Sequence, residues 1–270
     1  MCVVGLGTVG LPTAKYIQQQ GHQLVGYDIS RAAVEKARNW IEATTEFRQI
    51  PRDTDTFVVC VSTKQSGGRP DASYVFDACR RISNYSPNLV SIESTVPIGT
   101  CRELQDSVFD GDVHIAHAPH RFWPEDPTNH GVRQLRVVGA VDDESMNHAK
   151  NFYDDLDIPL LEVEPIEIAE MAKITENAYR YVQIAFAEEL RQICQRNNMN
   201  FDQLRNACNS KWNTYIPEAR QGIGGTCLPK DILYVVEAAR ESGLEPDLLL
   251  SAIRADKKYV NELTGPFVTA

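Results

Sequence analysis

None of the seven cysteines form a C-x-x-C pair, so the spacing of a zinc ribbon is missing and no metal site is expected. A chain of this length does not need disulfide staples. Free thiols in a reducing cytoplasm are therefore expected, most of them as small core residues. Positive charge is also short. Lys and Arg number 27 against 37 Asp and Glu, for a net charge of -10. Binding a phosphate backbone needs a basic face, so no nucleic-acid partner is expected, although a few local cations would suffice for a small anionic substrate. No apolar run approaches the ~20 residues of a membrane span, so no membrane partner is expected. The opening residues Met1-Cys2-Val3-Val4-Gly5 show no basic stretch ahead of a long apolar one, so no signal peptide is read. No internal repeat and no low-complexity segment stands out.

What is present is alternation. Apolar runs at Cys2 to Val4, Gln23 to Tyr27, Phe57 to Val61, Leu89 to Ile92, Val113 to Ala116, Arg136 to Val138 and Leu160 to Val163 read as strands. Helical patterns lie between several of them, at Val9 to Gln20, Arg31 to Arg38, Ala72 to Ile82 and Asp142 to Leu156. Strand–helix alternation implies an α/β domain, a parallel sheet covered on both faces. After Pro165 the period changes. Ile168, Met171, Ala172, Thr175, Ala178, Val182, Ala185, Leu190 and Ile193 recur at three- and four-residue steps, the mark of one long helix ending near Asn197-Asn198. Shorter helices are expected at Phe201 to Asn209, Pro229 to Glu241 and Asp247 to Val260. The expected organisation is a Rossmann-type domain over residues 1–164 and an all-helical domain over 165–270.

Gly5-Leu6-Gly7-Thr8-Val9-Gly10 fits G-x-G-x-x-G between a strand and a helix. Gly5 permits the tight turn, Gly7 lets the backbone approach a pyrophosphate, and Gly10 lets helix and strand pack closely. Free N–H groups at the helix start, through Thr8 and Val9, offer partial positive charge to phosphates. Asp28 ends the next strand, at the distance where a carboxylate accepts from a ribose 2′-hydroxyl. An acid there repels a 2′-phosphate, so NAD is expected over NADP. A glycine-rich turn before an ordinary helix is the plainer alternative.

GLGTVGLPTA (Gly5 to Ala14), VCVST (Val59 to Thr63), PDASYV (Pro70 to Val75), STVPIGT (Ser94 to Thr100), AEMAKITEN (Ala169 to Asn177) and GIGGTCLPKD (Gly222 to Asp231) stand in the order seen in the UDP-glucose/GDP-mannose dehydrogenase family, which the chain resembles over most of its length. The resemblance implies an NAD-dependent enzyme that oxidises the primary alcohol of a nucleotide sugar to a carboxylate through a cysteine-bound thiohemiacetal and thioester. It casts Cys227 as the nucleophile, Lys173 as oxyanion stabiliser and Asn177 as its hydrogen-bonding companion. Asp231 would help activate water or orient Lys173. Thr95 would sit near the nicotinamide or hold the attacking water, and Thr63 would lie on the cofactor side. Cys227 stands just before Pro229, a natural helix start, and a helix N-terminus favours a thiolate. Taken alone, each has a bland alternative: a cysteine in a glycine turn, a solvated Lys/Asn helix face, a first-turn acid answering the dipole, a threonine opening a turn. The family resemblance also implies a homodimer paired through the long helix, and an active site in the cleft between the two domains.

Two departures stand out. Where the family usually has Pro-Glu, this chain has Pro119-His120-Arg121. The family's glutamate is often assigned to hydrolysis. His120 could act as a base in its place or be a surface-loop histidine. Full-length members also continue into another α/β domain, and this chain stops about where that domain begins, with Gly265-Pro266 as a possible linker start. Two other functions stay open. One is a two-electron β-hydroxyacid dehydrogenase, favoured by length. The other is a truncated NAD-binding subunit without catalysis.

Overall fold

The computed structural model describes residues 1–66 and 69–264. Residues Met1–Ser66 and Pro70–Lys173 form one compact unit, and the chain from Ile174 forms a second. In the first unit the order is β1 (Cys2–Val4), α1 (Gly10–Gln19), β2 (Val25–Tyr27), α2 (Arg31–Ala37), β3 (Glu42–Thr44), β4 (Thr56–Val59), β5 (Lys64–Ser66), β6 (Arg69–Asp71), α3 (Ser73–Ile82), β7 (Leu89–Ile92), α4 (Thr100–Ser107), β8 (His114–His117), β9 (Arg136–Ala140), α5 (Asp143–Asp155) and β10 (Leu160–Glu162). The main sheet has eight strands in the order β10-β9-β8-β7-β4-β1-β2-β3, and β5 pairs with β6.

Alternate residues of the buried strands feed two separate cores, as the pleat requires. Val3 and Val58 pack with Leu11, Ala14 and Ile17 of α1 and with Phe152 and Tyr153 of α5. Cys2, Val4, Phe57 and Val59 pack on the other face with Val75, Cys79 and Ile82 of α3 and with Cys101 and Leu104 of α4. This is the double winding expected from the alternation. Burying an Ile or Leu side chain of this kind is worth about 1.5–3 kcal/mol.

The sheet is not wholly parallel. β8 and β9 pair antiparallel, with Ala116 opposite Ala140, and β10 runs parallel to β9. A parallel step needs a helical crossover. Residues 118–135 contain no helix, so β9 returns against β8. Four strands and helices, β3, β5, β6 and α4, were not expected. β3 is too short to show a period. β5 (Lys-Gln-Ser) and β6 (Arg-Pro-Asp) show no apolar alternation. α4 offers only Cys101 and Leu104 as an apolar pair.

The long helix α6 (Ile166–Arg196) starts in the first unit and continues into the second. The division thus falls inside α6, not at Glu164-Pro165, because Ile166 is buried in a sheet-face core and Glu170 bonds to α4. The second unit adds α7 (Phe201–Asn209), α8 (Cys227–Glu241) and α9 (Asp247–Thr264). Its core joins Ala178, Tyr181, Ile184 and Ala185 of α6 to Ile223, Ile232 and Ala252. The helix expected at Pro229 begins at Cys227 instead. Gly265-Pro266 lies outside the described residues. Among the described residues no helix is long and apolar enough to cross a membrane.

Candidate functional site

The strand order reverses at β1, with β2 and β3 on one side and β4, β7 and β8 on the other. Ligands of open α/β sheets bind at the carboxyl ends of the strands beside such a reversal. Gly5 to Val9 leave β1 there. A Cβ on Gly10 would lie 1.8 Å from the Gly5 carbonyl oxygen, and one on Gly5 (φ +94°) would lie 2.7 Å from that of Cys60. Both positions are packed too closely for a side chain. Nothing stands within 4 Å of a Cβ on Gly7, so the loop is open where a phosphate would approach. The start of α1 has neither a side-chain cap nor an acid in its first turn, which leaves its positive end unneutralised. Asp28 is half-buried at the end of β2. Its carboxylate accepts from the Leu6 N–H (2.7 Å) and the Ser30 N–H (2.8 Å). It therefore shapes the loop, and further lone pairs remain for a ribose hydroxyl. The Thr63 hydroxyl donates to the Thr95 carbonyl at 2.7 Å, joining the loops after β4 and β7. These residues fit a dinucleotide with a free 2′-hydroxyl.

Beneath α1 lies a buried polar network. Glu93 is 4% exposed, Arg136 2% and His120 6%. Arg136 Nη1 donates to Glu93 Oε1 at 2.5 Å and the Tyr153 hydroxyl to the same oxygen at 2.7 Å. His120 Nε2 contacts Glu93 Oε2 and lies 3.0 Å from the Thr13 hydroxyl. Burial disfavours charge on Glu93, but Arg136 and His120, with bonds from His120 and Tyr153, hold its carboxyl at about 2. A carboxylate can only accept, so His120 Nε2 carries the proton and Nδ1 is the unprotonated nitrogen. Burial first, then Arg136, lower the His120 pKa; Glu93 opposes this and Lys173 adds to it. His120 is thus not a surface-loop residue. Burial also pushes the Cys60 thiol well up, with Glu93 adding to the effect.

The other expected residues lie on α6 and α8. Lys173 and Asn177 are one turn apart on α6 and both are half-buried. Cys227, the first residue of α8, is exposed, while the other cysteines are buried or intermediate. Asp231, one turn further on, is fully buried. Asn177 Nδ2 and Lys230 Nζ each donate to it at 2.5 Å, one to each carboxylate oxygen. Asp231 is therefore a fixed partner of Asn177 and Lys230.

Sequence reasoning missed Glu93, Arg136, Tyr153, Glu170, Glu188 and Asp256. Glu170 is fully buried and accepts from the Gly99 N–H (2.5 Å) and the Cys101 N–H (2.8 Å), capping α4. Two trios among the described residues bring possible metal ligands together: Cys60, Glu93 and His120, and His114, Glu144 and His148. In the first, Arg136 already supplies the positive charge. In the second, the two rings stack at 4.0 Å and 15°, so their in-plane lone pairs do not converge.

Residues 36–157 match the NAD binding domain of the UDP-glucose/GDP-mannose dehydrogenase family, and residues 167–258 match that family's central domain. Residues 1–69 also match the NAD binding domain of 6-phosphogluconate dehydrogenase. The chain is 30% identical over 268 residues to UDP-N-acetyl-D-mannosamine dehydrogenase of Methanocaldococcus jannaschii, covering 90% of this chain and 63% of that protein. It is 30% identical over 278 residues to NDP-N-acetyl-D-galactosaminuronic acid dehydrogenase of Ralstonia nicotianae, covering 89% and 65%. The solved structure of UDP-D-ManNAc dehydrogenase from Pyrococcus horikoshii matches with a TM-score of 0.86 at 27% identity, over 96% of this chain and 69% of that one. The chain thus spans about 63% of the length of the first of these relatives. Matches to two successive domains decide between this family and the β-hydroxyacid alternative. With those domains found in order at 36–157 and 167–258, the chain belongs to the UDP-glucose/GDP-mannose dehydrogenase family.

Proposed function

We propose that this chain oxidises the primary alcohol of a nucleotide sugar to the uronic acid, with NAD as acceptor and Cys227 as nucleophile. The relatives are named for nucleoside-diphosphate N-acetylhexosamines or their acids, and an N-acetylhexosamine is the sugar proposed here. The observation that carries the reading is the exposed thiol of Cys227 at the first position of α8, one turn ahead of the Asp231–Asn177 pair.

Bound NAD supplies the hydride acceptor, once for each oxidation. The chain does the rest. The glycine loop and the start of α1 hold the pyrophosphate, and Asp28 takes the ribose hydroxyl. Loss of a hydride and a proton turns the alcohol into an aldehyde. The Cys227 thiolate adds to the aldehyde carbon, forming a C–S bond and an oxyanion. Lys173 stabilises that charge, joined by the Asn177 N–H not given to Asp231. A second hydride leaves the same carbon, giving a thioester. Water adds to the thioester and gives up a proton, and the C–S bond breaks to release the acid and the thiol. In sum, alcohol, two NAD⁺ and water give carboxylate, two NADH and three protons.

Absorbance at 340 nm, counted per sugar consumed, tests this. Two NADH are expected. The Cys227→Ser variant is expected to stop at aldehyde-level or covalent product. One NADH per substrate, or an unimpaired Cys227→Ser variant, overturns the reading. Binding of NAD without turnover on any nucleotide sugar would leave a non-catalytic subunit.

The proposed assembly is a pair of chains joined through α6. Tyr179, Phe186 and Ile193, spaced seven apart, are 64%, 52% and 46% exposed along that helix. A sustained apolar seam of this period fits a second copy of the same helix.

A further inference from the structure

Cys227 is reached through Gly222 to Thr226, a loop with positive φ at Gly222 (+91°) and Gly225 (+81°). Its start is held by two acidic side chains from two helices. The Gly222 N–H donates to Glu188 Oε1 of α6 at 3.2 Å, and the Ile223 N–H donates to Asp256 Oδ1 of α9 at 2.8 Å. The other Asp256 oxygen accepts from the Tyr181 hydroxyl at 2.8 Å. Glu188 is fully buried and Asp256 is 8% exposed. Successive backbone N–H groups with carboxylates set against them form an anion-binding concavity, here filled by the protein's own side chains. Gly222 has no room for a side chain, since a Cβ would lie 2.4 Å from Val260 Cγ2. The loop therefore enters by one path.

α8 itself begins weakly. Thr226 precedes it with no side-chain cap, and its first turn holds no acid. An uncapped first turn frays unless something outside it fixes its entry. We propose that Asp256, with Glu188, is a positioning residue for Cys227: the two carboxylates fix Gly222 and Ile223, and this anchors the loop that sets Cys227 at the start of α8. The proposal rests on the reading of Cys227 as nucleophile and assigns work to two residues outside the motif that suggested it.

Charge at the tether adds a second handle. Burial first, and the neighbouring Asp256 next, raise the Glu188 carboxyl to about 7, with Arg220 and the Gly222 N–H opposing. The groups facing this pair are Tyr181, Tyr259 and Arg220, with Arg191 beyond Tyr259. Below pH 7 Glu188 is neutral beside Asp256. Above it, two buried carboxylates repel and the tether loosens.

The test compares Asp256→Ala, Asp256→Asn and Glu188→Gln in the full chain. Asn keeps an acceptor for the Ile223 N–H, and Gln keeps one for Gly222 without a charge. The first readout is the rate of Cys227 alkylation by iodoacetamide, followed by peptide mass spectrometry. Asp256→Ala is expected to slow it about tenfold as the thiol leaves the helix N-terminus. It should also lower kcat about 100-fold with KM for NAD unchanged, as small misplacements do. Asp256→Asn should restore both. Should Asp256→Ala not fold, Glu188→Gln serves: its kcat relative to the wild type is expected to rise as pH passes 7. Unchanged alkylation in a folded Asp256→Ala variant, or a flat pH ratio for Glu188→Gln, overturns this proposal alone. Full turnover by Cys227→Ser overturns the reading beneath it.

Discussion

Replacing Arg136 by Leu tests whether the network under α1 is an ion pair held against burial. The substitution leaves Glu93, 1% exposed in its side chain, without its cation. It also removes the bond to the Val132 carbonyl. Breaking a buried pair from one side costs about 3–5 kcal/mol, because the surviving charge stays buried. The structure supports that range. Arg136, His120 and Tyr153 together hold Glu93 at about 2 rather than its ordinary 4.5 against burial, with Arg136 the largest favourable contributor. This corresponds to about 3 kcal/mol for the whole network at roughly 1.4 kcal/mol per tenfold. The pH dependence should invert. In the wild type the depressed carboxyl gives stability that is present above pH 4.5 and lost as pH falls toward 2. In Arg136→Leu, burial without Arg136 raises the carboxyl instead, so the cost is greatest at neutral pH and shrinks as Glu93 takes up a proton. Urea unfolding followed by tryptophan fluorescence at pH 7.5 and pH 5 measures the gap between variant and wild type, which cancels the other titrating groups. The gap should be about 3–5 kcal/mol at pH 7.5 and clearly smaller at pH 5. Adding Glu93→Leu should recover much of it, since no orphan charge remains. A gap below about 1 kcal/mol, or one that does not change with pH, refutes the reasoning.

The glycine loop and the exposed helix face give two further predictions. Gly10→Ala should lose about 1–3 kcal/mol and most NAD affinity, because the new methyl meets backbone that cannot move aside. Gly7→Ala should keep stability within about 0.5 kcal/mol and weaken NAD alone; thermal melts with NAD titration separate the two, and equal effects would refute the assignment of roles. Phe186→Glu should convert a dimer to a monomer by light scattering; a wild type that is already monomeric at micromolar concentration would remove the α6 pairing.

The dinucleotide loop was legible because its requirements are local. Gly5, Gly7, Gly10 and Asp28 answer to a turn, a close approach and one strand end, and the structure places them together at the strand reversal. The long helix was legible from its period, but its exposed Tyr179 and Phe186 were not, since they stand outside the stripe that holds the buried Ala178 and Ala185. His120 was not. Its neighbours in sequence look like a loop, and only the sheet brings Glu93, 27 residues away, against its ring.

By itself the sequence determined the winding of the first unit, the helical character of the second and the sharing of one long helix by Lys173 and Asn177. Strand and helix periods, glycine spacing and motif order all depend on neighbours within a few turns. Tertiary structure alone decided that β9 runs back against β8. It also decided that Arg136 neutralises Glu93 across 43 residues, and that Glu188 and Asp256 meet the loop ahead of Cys227. These pairings join charged groups to partners far along the chain. Sequence shows such a charge without its partner, and only burial makes the partner obligatory.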